Sequence, residues 1–281
     1  MSHFAHVNHI DLHYLDHAGG EPTVVLMPGL TANAHSFDGL ITAGLSPAVR
    51  VLALDLRGRG LSEQPESGYT MADHAADVIG LLDHLGLEQA VIGGHSFGGL
   101  LTIYMAVHYP ERMSKGIIID AGLLHPDVFE LIGPSVARLG QTWPSFDTYV
   151  AGIKAQPAFT DAWNDDILSY LEADIASTGS GDEITTRTRP ETIAKAGAGV
   201  QAEPWAELIP QAAKPMLLIN APGAYGPPGA PAVQPEDQGR ATADLLPDCR
   251  YVKVPGNHMT MVYGNGAQAA VQAILEFVKE E

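Results

Sequence analysis

A serine stands between a predicted strand and a predicted helix in residues 91–110, VIGGHSFGGLLTIYMAVHYP. The surrounding letters GHSFG (94–98) fit the pattern G-x-S-x-G, which requires a strand before the serine and a helix after it. A nucleophile on so sharp a turn adopts strained dihedral angles, and the flanking glycines leave room for it. The free N–H groups at the start of the helix favour developing negative charge. The pattern predicts that Ser96 is a nucleophile; the alternative is a glycine-rich turn in which the serine is incidental.

Around this serine the chain resembles the α/β-hydrolase superfamily, and the resemblance extends over nearly the whole length. Four further segments are similar to landmarks of that superfamily: LMPGL, DLRGRGLS, a long insertion at 122–206 and PGNHM after the last predicted strand. The resemblance implies an α/β fold, a mostly parallel eight-stranded sheet with helices on both faces and a helical cap. It is specific to this fold and does not identify a substrate.

A serine hydroxyl needs a base, and the chain has 12 histidines. His95 is adjacent to Ser96, but neighbouring side chains on such a turn diverge, so we do not expect His95 to reach the hydroxyl. His258 follows the last predicted strand, where the resemblance places the catalytic imidazole. We therefore predict that His258 takes the serine proton and later returns it. The alternative is a loop histidine without a role.

The acid that should orient this imidazole is not at its usual place in the superfamily. Most relatives carry it in the loop after the strand that here reads MLLIN, and the matching position holds Ala224. Some relatives carry the carboxylate after the preceding strand, where this chain has Asp120, in the order serine, acid, histidine. We predict Asp120 as the acid, against the alternative that it only caps the start of the insertion. Asp237 is the reserve candidate, whereas Asp55 precedes the serine and is expected to brace its own loop.

Two backbone N–H groups are candidates for an oxyanion hole. One belongs to Phe97, the residue after the serine. The resemblance places the second at Leu30, in LMPGL. Many relatives have histidine where this chain has Pro28, a departure that affects how the loop is braced and leaves the donor in place.

Aromatic residues of the insertion, together with one methionine beside the predicted base, are candidates to line an apolar substrate pocket. The alternative for the aromatic residues is that they pack the cap on the core. The predicted substrate-binding residues are Trp143, Phe146, Tyr149, Trp163 and Met259.

Serine at the turn limits the chemistry. Relatives that open epoxides or displace halide carry aspartate there, because a carboxylate forms an alkyl ester that water later cleaves. Serine suits attack on the carbonyl of an ester, a lactone, a thioester or a vinylogous diketone. We predict a carboxylesterase-like serine hydrolase that cleaves small to medium, largely apolar carboxylic esters or lactones through an acyl-enzyme intermediate. This reaction needs no cofactor.

Three alternatives to this function stay open. A carbon-carbon bond hydrolase would use the same residues on a vinylogous diketone. A cofactor-free perhydrolase would use them with peroxide. Outside enzymology, some receptors of the superfamily keep a complete triad and bind a ligand.

The elements that position these residues alternate along the chain. Helical patterns at 71–87, 97–109 and near the C-terminus separate several strands, which indicates a mostly parallel sheet covered on both faces. The opening residues are typical of an antiparallel hairpin at its edge. The predicted strands are TVVLM (23–27), VRVLAL (49–54), QAVIGG (89–94), KGIIID (115–120), MLLIN (216–220) and RYVKVP (250–255).

The alternation stops in the insertion. About 85 residues without a strand pattern are too long for an ordinary connection and are interpreted as an inserted helical cap. We therefore divide the chain into a core of residues 1–121 and 207–281 and a cap of residues 122–206.

Composition and charge limit the partners. The net charge of −18 disfavours nucleic acid, anionic membrane surfaces and polyanionic substrates such as coenzyme A esters. The single cysteine, Cys249, cannot form an internal disulfide, and no secretory signal or apolar span is visible, so we expect a soluble cytoplasmic protein. We expect a small-molecule substrate, and the sequence leaves the oligomeric state open. A predicted strand alternation scatters the N-terminal histidines over two faces, so no metal site is expected at His3, His6, His9, His13 and His17.

Overall fold

The computed structural model describes residues 1–159, 162–227 and 229–280. Its strands form one sheet of eight and one of three. In chain order the strands are β1 (Ser2–Val7), β2 (Ile10–His17), β3 (Thr23–Met27), β4 (Arg50–Leu54), β5 (Ala90–His95), β6 (Met113–Ile119), β7 (Thr142–Trp143), β8 (Ile175–Ser177), β9 (Ile184–Thr186), β10 (Met216–Asn220) and β11 (Cys249–Lys253).

The large sheet has the order β1-β2-β4-β3-β5-β6-β10-β11. The hairpin of β1 and β2 is antiparallel at its edge, β2 pairs antiparallel with β4, and the remaining pairs are parallel. The carboxyl ends of β5, β6, β10 and β11 therefore lie at the same edge of the sheet, where ligands bind in folds of this kind. The predicted mostly parallel eight-stranded sheet and its N-terminal hairpin are confirmed.

Helices cover both faces of this sheet. Short 3₁₀ turns aside, they are α1 (Asp38–Thr42), α2 (Leu45–Ala48), α3 (Met71–His84), α4 (Phe97–His108), α5 (Val128–Leu131), α6 (Gly133–Ala137), α7 (Phe146–Lys154), α8 (Asp165–Asp174), α9 (Pro190–Gln201), α10 (Trp205–Leu208), α11 (Glu236–Leu245) and α12 (Gly264–Lys279).

The core consists of two apolar layers, one on each face. Alternate strand residues point to opposite faces, so Val24 and Leu26 pack with α1 and α12, whereas Val25 and Met27 pack with α3 and α4. Strands buried on both faces read as continuous apolar runs, and for this reason the sequence predicts most of them to within two residues.

The 122–206 segment differs from its prediction in one respect. It contains β7, β8 and β9, which form an antiparallel sheet of order β7-β9-β8. The expectation that the segment has no strands was wrong. Strands of two or three residues are too short to show alternation, and they are stabilised by local pairing across the polar turn STGSGDE (177–183). Within the described ranges, no helix is long and apolar enough to span a bilayer.

Candidate active site

Ser96 lies on a tight turn between β5 and α4. Its backbone adopts φ 54° and ψ −113°, a strained conformation for a residue with a side chain. The glycines on either side are required by close backbone contacts. A Cβ on Gly94 would lie 2.3 Å from the carbonyl carbon of Gly98, and a Cβ on Gly98 would lie 2.0 Å from the carbonyl oxygen of Met27. The predicted crowding around the two glycines is present, but backbone atoms of α4 and β3 cause it and the Ser96 side chain does not.

His258 and Asp120 meet at the carboxyl edge of the sheet. The His258 Nδ1 atom lies 2.7 Å from the Asp120 Oδ2 atom. His258 is 4% exposed and Asp120 is 0% exposed, so the pair is shielded from water. Asp120 follows β6 directly with φ 52°, and its N–H donates to the carbonyl of Ile219 in β10. The parallel strands β6 and β11, which flank β10, thus bring together two residues that are 138 positions apart.

The second oxygen of Asp120 has its own donors. Asp120 Oδ1 accepts hydrogen bonds from Asn220 Nδ2 and from the N–H of Ala221, each at 2.9 Å. Asn220 is in turn held by the Tyr251 hydroxyl, which donates to Asn220 Oδ1 at 2.7 Å. Sequence reasoning missed Asn220. Its signal was a single polar residue at the end of the apolar strand MLLIN, at the sheet edge where functional groups collect.

The other acids lie elsewhere. Asp237 is exposed on the first turn of α11 and has no hydrogen bond with His258. Asp55 is buried and accepts from the N–H groups of Ala34 and Leu61, so it braces its loop.

His95 packs against His258, the candidate base. Its Nε2 atom lies 2.7 Å from the carbonyl oxygen of His258, to which it donates, and the two rings are 4.4 Å apart. Burial, and then the neighbouring His258, hold the pKa of His95 well below 6.5. A neutral His95 therefore fixes the backbone that carries His258. Sequence reasoning had assigned it no role.

Buried histidines make stability dependent on pH. The pKa of His74, like that of His95, lies well below 6.5 because of burial, and both side chains are neutral in the folded protein. In the unfolded chain they bind protons as the pH falls below about 6.5, so the folded state loses stability there. We expect each histidine to lower the free energy of unfolding by about 1.4 kcal/mol per pH unit below that value.

Urea unfolding of the wild type, His74→Gln and His95→Gln between pH 7.5 and 5.5 measures this effect. Each variant should show a shallower loss of stability than the wild type. Equal slopes in all three proteins would contradict the assignment of neutral buried rings.

Ser96 and His258 line the same cavity. No hydrogen bond joins the Ser96 hydroxyl to the His258 ring in this structure, and such contacts commonly tighten only when substrate is bound. The volume of this cavity is about 60 Å³. One water needs roughly 10–15 Å³ on this scale, so the cavity has room for a few waters.

Part of the cavity lining is polar. The Tyr225 hydroxyl lies 2.9 Å from the Ser135 hydroxyl, and both residues line the cavity together with Arg138 and Gln156. The Tyr225 ring also meets the His258 ring edge-on, with centroids 5.9 Å apart. The loop after β10 thus contributes a phenol to the cavity, although it carries no acid at position 224.

The candidate oxyanion donors lie beside the serine. Leu30 lines the cavity, and Phe97 is the first residue of α4. Neither N–H donates to an acceptor within the described part of the chain. The carbonyl of Pro28 accepts from the N–H of Gly98 at 3.1 Å, so the loop is braced against the serine turn without a histidine at position 28.

The structure places one predicted pocket residue in the cavity lining and the others outside it. Met259 lines the cavity, whereas the four aromatic residues do not. The aromatic residues that line it are Phe159, Tyr170, Tyr225 and Tyr263. The predicted residues that lie outside the lining of this cavity are Trp143, Phe146, Tyr149 and Trp163.

Packing within the 122–206 segment explains this. Tyr149 is buried, and its hydroxyl donates to Asp174. Trp143 packs on Tyr149, with ring centres 4.6 Å apart. Phe146 packs against the core, and Trp163 packs on Phe159 at 6.2 Å. An aromatic pattern does not say which face of a short helix meets the cavity.

Among the described residues, no cluster of three or more His, Cys, Asp and Glu side chains could hold a metal ion. The N-terminal histidines have other contacts. His13 is buried against Asp55 at 2.7 Å, and His3 stacks on Tyr14.

Comparison with known proteins identifies relatives over parts of the chain. A 2-(acetamidomethylene)succinate hydrolase of Mesorhizobium japonicum is 35% identical over 102 residues, 36% of each chain. A cis-3-alkyl-4-alkyloxetan-2-one decarboxylase of Shewanella oneidensis is 30% identical over 171 residues, 55% of this chain and 53% of that protein. The matches thus span between about a third and about half of the length of these relatives.

Solved structures share the fold over the whole chain. The crystal structure of E-2-(acetamidomethylene)succinate hydrolase matches with a TM-score of 0.85 and 23% identity, covering 100% of this chain and 99% of that one. The enol-lactonase from Burkholderia xenovorans LB400 matches with a TM-score of 0.75 and 24% identity, covering 99% and 100%.

A family model describes most of the chain. The model of the alpha/beta hydrolase fold matches residues 22–264, which include the serine turn, Asp120 and His258. Since the sheet order and the whole-chain structural matches agree with it, the chain belongs to the alpha/beta hydrolase fold family.

Proposed function

We propose that this protein is a serine hydrolase that cleaves small to medium, largely apolar carboxylic esters or lactones through an acyl-enzyme intermediate. The observation that carries the proposal is the buried bond of 2.7 Å between His258 Nδ1 and Asp120 Oδ2, at the wall of a cavity that Ser96 also lines. A neutral imidazole that donates from Nδ1 has an unprotonated Nε2, which can accept the serine proton.

In the proposed reaction the Ser96 oxygen attacks the substrate carbonyl while His258 Nε2 takes its proton. Asp120 stabilises the resulting imidazolium, and the N–H groups of Leu30 and Phe97 donate to the new oxyanion. His258 then protonates the leaving alcohol. Water, deprotonated by the same imidazole, then attacks the acyl group. The imidazolium returns this proton to the Ser96 oxygen as the acyl–oxygen bond breaks and the carboxylic acid leaves.

The cavity supports the proposed substrate class. Its volume of about 60 Å³ favours small substrates, and a larger one requires side chains or the 122–206 segment to move. Leucine, isoleucine, valine and phenylalanine side chains supply apolar contacts, while Tyr225 and Ser135 offer hydrogen bonds to a second polar group. We propose that residues 122–206 act as a cap on the core of residues 1–121 and 207–281.

The descriptions of two similar proteins support attack on a carbonyl carbon. One structural neighbour is an enol-lactonase, and another relative is a 2-(acetamidomethylene)succinate hydrolase. A relative described as a putative non-heme chloroperoxidase of a Synechocystis species, 36% identical over 111 residues, is the reason to include peroxide in the test.

The experiment compares p-nitrophenyl butyrate, an enol lactone and a vinylogous diketone, each with and without peroxide. We expect repeated turnover of the ester or the lactone, and rapid-quench intact-mass measurement should find one butyryl group on the wild type mixed with the ester and none on Ser96→Ala. Cleavage of the diketone alone would favour the carbon-carbon bond hydrolase. Peroxide-dependent activity alone would favour the perhydrolase, and single-turnover labelling without a steady state would favour a ligand receptor.

A further inference from the structure

A buried guanidinium group contacts the two residues of the candidate oxyanion hole. Arg59, in the loop after β4, is 0% exposed. Its Nε donates to the carbonyl of Leu30 at 3.0 Å, and its Nη1 donates to the carbonyl of Arg57 at 2.7 Å and to His74 Nε2 at 2.8 Å. Its Nη2 has no hydrogen-bond partner among the described residues.

Arg59 has no direct ion-pair partner among the described residues. No Asp or Glu oxygen of the described residues lies within 4.0 Å of it, whereas Arg57, two residues earlier, pairs with buried Asp77. His74 donates from Nδ1 to the carbonyl of Thr70, so its Nε2 is an acceptor and the ring is neutral. Burial lowers the pKa of Arg59 to about 9, which still leaves it cationic at neutral pH. An unpaired buried cation is costly, and such a group needs a reason to be present.

Its position supplies a reason. The Arg59 Nε atom donates to the carbonyl of Leu30, and the Arg59 Cζ atom lies 4.9 Å from the centre of the Phe97 ring. These two residues carry the two candidate oxyanion donors. One side chain therefore contacts both residues that carry the candidate donors.

We propose that Arg59 is a positioning residue that fixes the two oxyanion donors and supplies positive potential to the tetrahedral intermediate. This inference rests on the proposed serine hydrolase function. A fixed charge in a water-excluded site acts over a longer range than at the surface, and it stabilises a developing oxyanion more than a neutral carbonyl. The negative charge missing around Arg59 in the free protein is thus provided during the reaction.

Three variants test this role: Arg59→Met, which removes the charge and the hydrogen bonds; Arg59→Lys, which keeps the charge but cannot hold both groups; and Arg50→Met as a control. Arg50 begins the same strand at its other end and pairs with Asp16. For each we measure kcat and KM with p-nitrophenyl butyrate, the affinity for n-butylboronic acid, which forms a tetrahedral anionic adduct with an active serine, and the melting temperature.

We expect Arg59→Met to lower kcat and boronate affinity by about 10- to 100-fold, with KM changed by less than about threefold, because a hole donor itself is worth on the order of 10²- to 10³-fold. Arg59→Lys should fall between Arg59→Met and the wild type, and Arg50→Met should match the wild type in kcat. If Arg59→Met does not fold, the folded Arg59→Lys variant decides the question through the same parallel loss in kcat and boronate affinity.

Two results would overturn the inference, and they differ. If the wild type turns over ester and binds boronate while the Arg59 variants do so equally well, the proposed function stands and the role of Arg59 fails. If the wild type neither turns over ester or lactone nor binds boronate, the proposed function fails and takes the inference with it.

Discussion

Replacing Ser96 with alanine should lower turnover by about 10⁴- to 10⁶-fold, the loss expected when the nucleophile of a serine hydrolase is removed. The melting temperature should stay unchanged, because the Ser96 hydroxyl has no hydrogen bond to the described residues and alanine fits the same backbone. Steady-state hydrolysis of p-nitrophenyl butyrate and a thermal melt of the same preparation measure both.

Ser135→Ala is the matched control. Ser135 lines the same cavity, but its hydroxyl bonds to Tyr225. We expect a change in KM with kcat within about tenfold of the wild type, since a neutral hydrogen bond contributes about 1 kcal/mol. Loss of turnover in Ser135→Ala with activity retained in Ser96→Ala would show that the nucleophile is wrongly assigned.

Asp120→Asn should lower turnover by about 10²- to 10⁴-fold, because an amide cannot hold His258 in the tautomer that accepts the serine proton. The amide also meets donors on both sides. If its oxygen faces His258, its NH₂ group faces the donating Asn220 amide and the N–H of Ala221. We therefore also expect a lower melting temperature, and kcat measured well below that temperature separates the two effects.

The reserve acid gives the control for this second prediction. Asp237 is exposed on α11, so Asp237→Asn should retain turnover within about twofold, as surface substitutions usually do. The reverse ranking, with a mild Asp120→Asn and a severe Asp237→Asn, would remove Asp120 from the proposed mechanism.

Features that depend on local sequence were predictable. Strands buried on both faces appear as continuous apolar runs, and β3 and β10 match their predicted bounds. The serine turn is visible because its glycines are close in sequence to Ser96. The position of Asp120 needed the resemblance as well, since nothing in the letters GIIIDAG says which strand lies beside β6.

Features that depend on tertiary contacts were not predictable. His95 acts on a carbonyl 163 residues away, and Arg59 meets its Leu30 and Phe97 contacts only after the loops have packed. The placement of the aromatic residues of the 122–206 segment depends on tertiary contacts as well. Their hydrophobicity predicts burial, but only the packing of α7 and α8 decides whether a ring faces the cavity or the interior.

The proposed placement of the acid after β6 has a consequence for redesign. The loop after β10 carries Tyr225 into the cavity but holds neither Ser96, Asp120 nor His258. Substitutions at Tyr225 should therefore change the shape and polarity of the cavity without removing a proposed proton-transfer group. On this proposal a cavity-lining residue and the reacting groups lie on different loops, and directed evolution can exploit that separation.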